Sequence, residues 1–273
     1  EIWNLGHLFG FLILWLFMIN LFPVFYPDSI RRVGLVFLIM LAASAAIEII
    51  QHYIGRSASV KDVGLNIAGT MIAMSIVILR YRTFRKMSYG VVVIFILVVF
   101  VLIWPTVKIF IDEINISRQF PVLSDFTTPF ESGRWQSSDA DMVLVKEKDL
   151  TVLDVVLLPE NKYSSVALNS FGQGWEKYRE LVIELNNTME LDIPLVLRLH
   201  DKHHKKYNNQ HSDRFNRSIN LAPGYREIII PIIDLYNSPR DRKMDVNNIE
   251  SIMIFAININ KKKHFRIYKV FLR

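Results

Sequence analysis

The chain has 273 residues, no cysteine and a formal charge of +6. That length allows two folded units, and the lack of cysteine excludes a disulfide framework, a thiolate metal site and a cysteine nucleophile. Much of the positive charge lies in two short clusters beside apolar runs, which is a topology signal; no nucleic-acid signature accompanies it, so no nucleic-acid partner is expected.

In chain order, four apolar segments come first: Leu5–Phe25, Val33–Ile50, Val63–Leu79 and Tyr89–Trp104. Each is near the ~20 residues that cross a ~30 Å hydrocarbon core. The sequence therefore predicts a helical membrane bundle with the lipid bilayer as its first partner. Arg31 and Arg32 follow the first span, and Arg80, Arg82, Arg85 and Lys86 follow the third. Both loops share one side, and their charge assigns that side to the cytoplasm. The loop from His52 to Lys61, and everything after Trp104, is then expected outside. A start on the outside without a signal peptide leads us to expect one more span upstream of Glu1.

This topology gathers polar residues at one membrane surface. His7 opens the first span. Glu48 and Gln51 close the second and share a helical face, as do Asp62 and Asn66 opening the third. Arg56 lies in the loop between them. Small residues, Ala42 to Ala46 and then Gly64, Ala68 and Gly69, allow close helix approach. Two readings fit the six polar residues. They pair only to hold helices together, with Glu48 on Arg56 and Asp62 capping its helix. Alternatively, they are catalytic candidates: an acid–base set with an anion clamp for a lipid-linked head group.

The stretch Glu48-x-x-Gln51, Arg56-Ser-x-Ser59, Asp62-x-x-x-Asn66-x-x-Gly69, preceded by His7, resembles the signature of the VanZ-like family over roughly residues 1–80. The resemblance implies a bacterial integral membrane protein. It also implies a helix before the histidine. The family's namesake is associated with teicoplanin resistance, and no settled reaction comes with the resemblance. The large extra domain departs from the short namesake.

Residues 109–125 read as a linker between a membrane domain, 1–108, and an outer domain, 126–273. The outer domain carries nine short β-rich runs: Met142–Val145, Leu150–Leu158, Ser164–Leu168, Leu181–Leu185, Leu195–Leu199, Arg217–Leu221, Ile228–Ile232, Ile252–Ile257 and Phe265–Leu272. Leu195-Val-Leu197-Arg-Leu199 alternates with the period of a half-buried strand. Turn residues such as Ala222-Pro223-Gly224 separate the runs. The pattern predicts an all-β antiparallel sandwich.

From Trp175 onward the order of features is similar to the galactose-binding-type jelly roll of many carbohydrate-binding modules. Trp175 precedes a strand, a later strand runs into His200-Asp201, a loop leads to Asp213-Arg214, and Pro223-Gly224 precedes Ile228. Candidate glycan ligands are Trp175, His200, Asp201, Tyr207, Asp213 and Arg214, with the aromatic rings to stack on a sugar and the polar groups to bond hydroxyls. No metal is expected in the loop from His200 to Asp213, because Lys202, Lys205 and Lys206 repel a cation. No catalytic elbow, phosphate loop or zinc signature is present, and no cofactor is expected. The expected place is the bacterial inner membrane, with the sandwich extracytoplasmic and an envelope glycan or lipid-linked head group as a further partner. A binder, a membrane enzyme and a scaffold all remain open.

Overall fold

A computed structural model describes residues 2–26, 28–54, 59–81 and 87–273. Arg56, Arg82, Arg85 and Lys86 lie outside the described residues. The chain divides into two compact units, Glu1–Lys108 and Ile109–Arg273.

The first unit is helical. Helix α1 spans Ile2–Leu21, and Pro23 opens a short 3-10 turn just beyond it. Helix α2 spans Ile30–Tyr53. The Ser29 hydroxyl accepts the Arg32 backbone N–H at 3.3 Å, filling one of the donors that every helix start leaves unpaired. Helix α3 spans Val60–Tyr81 and packs against both α1 and α2. Helix α4 spans Met87–Gln119 and carries Pro105 in its interior. Among the described residues, three helical stretches are long and apolar enough to cross a membrane: Arg31–Tyr53, Val60–Leu79 and Val92–Gln119. The described apolar part of α1, Gly6–Leu21, is shorter. The sequence predicts four such stretches, and three are met among the described residues. Large apolar side chains such as Ile13, Phe17, Leu38, Leu97 and Val101 stand exposed on α1, α2 and α4. Such surface is costly in water and at no disadvantage in lipid.

The second unit is an antiparallel sandwich. Its strands are β1 (Val122–Ser124), β2 (Trp135–Ser138), β3 (Ala140–Glu147), β4 (Leu150–Leu157), β5 (Tyr163–Leu168), β6 (Glu180–Asn187), β7 (Ile193–Asp201), β8 (Phe215–Leu221), β9 (Gly224–Pro231), β10 (Ile249–Ile257) and β11 (Lys263–Leu272). One sheet runs β3-β4-β11-β6-β9, with β1 added beside β11; the other runs β2-β5-β10-β7-β8. Each of the nine β-rich runs falls on a strand. The two strands that were missed, β1 and β2, are three and four residues long, too short to show alternation. Leu195, Leu197 and Leu199 of β7 enter the core with Val166 and Leu168 of β5 and Ile252 and Ile254 of β10.

The stretch 109–125 is not a loose linker. Helix α4 continues to Gln119 and β1 follows at Val122. The polar residues that suggested a linker are internally bonded instead. Buried Arg134 grips both oxygens of Asp112, with Nε at 2.9 and 3.0 Å, and donates from Nη1 to the Leu123 carbonyl at 3.2 Å. Glu131 accepts the backbone N–H groups of Asp125 and Phe126 at 2.5 and 2.7 Å. Burial alone would raise the Glu131 carboxyl; these hydrogen bonds and the Arg134 charge outweigh it and hold the group below its ordinary value.

Candidate functional site

The proposed ligand loop of the sandwich folds inward. Trp175 is fully buried, donates its indole N–H to the Gly172 carbonyl at 2.8 Å and packs on Phe171. It is a core residue and offers no face to a sugar. Asp201 and Asp213 are both taken by Arg242, which no sequence signal had singled out. Its Nη1 and Nη2 reach Asp201 at 2.5 and 2.8 Å, and its Nε and Nη2 reach Asp213 at 2.6 and 2.8 Å. Asp201 also accepts the Asp245 N–H, and Asp213 meets the fully buried His204 at 3.0 Å. Tyr207 is half exposed, but its ring lies under the Arg242 guanidinium, 5.0 Å away. Four of the six expected ligand residues, Trp175, Asp201, Tyr207 and Asp213, are therefore absorbed by the fold.

The other two, His200 and Arg214, belong to a different surface. Strand register aligns one face of the β2-β5-β10-β7-β8 sheet. Gln136 stands beside Ala167, Ala167 beside Met253, Met253 beside Arg198, and Arg198 beside Asn216. His200 pairs with Ser251 one step along the same face, and Ser165 pairs with Phe255 on the other side. This face is the outer one, opposite the core leucines. It holds a groove of about 430 Å³ whose lining includes Gln136, Ser165, Asn169, His200, Glu250 and Met253.

Buried polar atoms without a hydrogen-bond partner among the described residues gather on and beside this face: Arg198 Nε, His200 Nδ1, Arg214 Nε, Asn216 Oδ1 and Glu250 Oε2. A buried donor or acceptor left unpaired is expensive, so such groups normally meet water or a ligand. The larger cleft near Ile232, Tyr236 and Met244, about 620 Å³, is lined by none of these atoms. Neither Arg198 nor Arg214 has an acidic partner among the described residues. Burial, and for Arg198 the Arg214 charge beside it, lower both guanidinium groups from their ordinary value. His200 is pushed down to about 4, by burial first and then by Arg198 and His204, against the opposing pull of Glu250. At neutral pH it is an uncharged donor and acceptor. Tyr163, half exposed, meets Phe255 edge-on at 6.1 Å on the same side of the sheet.

The membrane candidates lie at neighbouring helix ends: His7 early in α1, Glu48 and Gln51 late in α2, Asp62 and Asn66 early in α3. His7 Nδ1 lies 3.1 Å from Asn66 Oδ1, and the Asn66 amide donates to Ser44 Oγ at 2.8 Å. His7 Nε2 lies 3.8 Å from Asp62 Oδ2. Glu48 is buried; one oxygen accepts the Ser59 N–H at 3.0 Å and the other has no partner among the described residues. Gln51 is half-buried and joins none of these bonds. The structure thus brings His7, Glu48, Asp62 and Asn66 together, and sequence spacing had indicated all four. It had not indicated Ser44, which is fully buried and fixes Asn66.

Residues 2–85 match the VanZ/LLP1 family model. The matched residues include His7, Glu48, Asp62, Asn66 and Gly69. Comparison with curated proteins gives no match. Among solved structures, the sandwich resembles carbohydrate-binding modules in fold. The family 11 module from Clostridium thermocellum, solved with a β-1,3-1,4-mixed-linked tetrasaccharide, is 16% identical; the match covers 55% of this chain and 93% of that one, with a TM-score of 0.43. The family 30 module of a cellulosomal cellulase of the same organism is 9% identical over 51% of this chain and 91% of its own, with a TM-score of 0.39. An exo-β-agarase is 13% identical over 56% of this chain and 24% of its own, with a TM-score of 0.45.

Proposed function

We propose that this is a multi-pass protein of the bacterial inner membrane whose extracytoplasmic sandwich binds an acidic envelope glycan or glycoconjugate on the outer face of its β2-β5-β10-β7-β8 sheet. In this reading α1 is a fourth span. The observation that carries the glycan assignment is the set of buried polar atoms on and beside one sheet face that have no hydrogen-bond partner among the described residues; two of them, on His200 and Glu250, line the groove. Asn216, His200 and Glu250 supply hydroxyl partners, and Tyr163 supplies a ring for the apolar face of a sugar. Arg198 and Arg214 make the preference acidic: two neighbouring guanidinium groups with no carboxylate between them are relieved by a uronate, phosphate or sulfate.

Full-length protein in detergent should bind an acidic envelope polysaccharide, with binding weakened by salt. Arg198→Ala or Arg214→Ala should cut affinity about 10–100-fold, from ~1.5–3 kcal/mol per charged hydrogen bond. Neutral glycans bound as tightly as acidic ones, or variants that bind undiminished, would refute the assignment. For topology, reporters fused after Asn169 should be active only if they work outside the cytoplasm. Activity of a cytoplasm-only reporter there would reverse the orientation.

The second reading, a membrane enzyme acting on a lipid-linked head group, is favoured by the convergence of His7, Glu48 and Asp62. These would act as the acid–base residues.

A further inference from the structure

We propose that His7, Glu48 and Asp62 together bind one divalent transition-metal ion, a site that stands independently of the glycan reading of the sandwich. One nitrogen of His7 and one oxygen each from Glu48 and Asp62 lie within 4.8 Å of one another. Metal bonds of ~2.0–2.2 Å to nitrogen and oxygen allow ligand atoms to sit at most about 4.4 Å apart. His7 Nε2 and Asp62 Oδ2, at 3.8 Å, already meet that limit. That limit is for opposed ligands; at tetrahedral or cis octahedral angles the same bonds put ligand atoms roughly 3–3.5 Å apart, so the side chains close in by about 1 Å on the ion.

The hydrogen bonds decide what those atoms carry. Asn66 donates its amide N–H to Ser44 Oγ, so its Oδ1 faces His7. Oδ1 is an acceptor only, so His7 Nδ1 must be the protonated nitrogen. Neutral His7 then presents a bare lone pair at Nε2, towards Asp62. A metal-bound histidine has this arrangement: its other ring N–H is donated to a carbonyl-type oxygen, which fixes the tautomer and the ring. The second independent sign is Glu48. It is 5% exposed, one oxygen is held by the Ser59 N–H, and the other has no partner among the described residues. Three lone-pair donors converge, and among the described residues no proton donor lies between them. A cation resolves that arrangement.

One imidazole and two carboxylates suit Zn²⁺, which takes both ligand types, or Mn²⁺, which takes carboxylates and is bound by imidazole more readily than Ca²⁺ is. Three protein ligands also leave coordination positions open for water or a phosphate oxygen. Asn66 and Ser44 are positioning residues: they act on the ion through His7.

The test uses full-length protein in detergent, stripped with a chelator and titrated with Mn²⁺ under electron paramagnetic resonance. One ion per chain should bind, with a nitrogen coupling from a single imidazole. His7→Gln should abolish the coupling, and Glu48→Gln should abolish tight binding. Asn66→Leu should weaken binding roughly 10–100-fold, as loss of a ligand's supporting hydrogen bond does. Wild-type protein that binds no Mn²⁺, or binds it without nitrogen coupling, overturns the proposal whether or not the variants fold. Coupling that survives in a folded His7→Gln chain overturns it too, by placing the ion at another histidine.

Discussion

Arg242→Ala is expected to destabilise the sandwich by about 3–5 kcal/mol, the cost of stripping the partner from a buried ion pair. Asp201 is fully buried and Asp213 nearly so. Arg242 joins both with four hydrogen bonds, and alanine would leave two carboxylates facing each other. Thermal melting of the full-length chain checks this, with the sandwich followed by its β-sheet circular dichroism. A loss below about 1 kcal/mol, the scale of an exposed pair, would mean that the clamp is solvent-screened. The same site sets a pH dependence. Burial would raise the Asp201 and Asp213 carboxyls, but Arg242 outweighs it and lowers both. A group whose folded value is depressed adds stability above its unfolded value and loses it as pH falls through the folded one. The wild-type sandwich should therefore keep its stability at neutral pH and lose it progressively below the ordinary aspartate range of about 3.9. The alanine variant should lose less across that window.

The strands of the sandwich were legible because period-two alternation survives in single sequences: the side chains at 195, 197 and 199 of β7 face the core as their spacing indicates. The membrane cluster was legible for a similar reason. Spacing of three or four residues sets Glu48 with Gln51 and Asp62 with Asn66, and a short connection makes α2 and α3 neighbours. The glycan loop was misread because charge in a turn looks the same whether it faces water or a buried partner. Asp201 and Asp213 find theirs in Arg242, 41 and 29 residues away in sequence. Nothing local announces that distance. The face now proposed for ligand had no motif because it draws on residues from five strands. Arg198 looks like an ordinary outward position of an alternating strand. Only register, which sets it beside Asn216 and Met253, shows that it is half of an unpaired basic couple.

Gly69→Ala is expected to be the most damaging one-carbon change in the membrane unit. A Cβ at that position would fall inside contact distance of the Leu8 carbonyl oxygen and 3.0 Å from the Leu12 backbone nitrogen. Both atoms belong to the backbone of α1, so neither can swing aside as a side-chain tip would. The helices must part instead. Overpacking of this kind typically costs about 1–3 kcal/mol, and a rigid backbone neighbour puts it at the upper end. The position is also one turn from the polar site. Leu8 follows His7, and Asn66 precedes Gly69 by three residues, so separating α1 from α3 here stretches the 3.1 Å His7–Asn66 bond. Gly64→Ala is the matched control. Its Cβ would meet only Leu102 Cδ2, at 3.3 Å, the mobile end of a flexible side chain. Thermal melting of both variants in detergent should show a large drop for Gly69→Ala and a small one for Gly64→Ala. Mn²⁺ affinity should fall with the first and hold with the second. Equal melting temperatures would show that α1 and α3 do not meet at Gly69. A melting drop without loss of Mn²⁺ would show that His7 is held in place by something other than this helix contact.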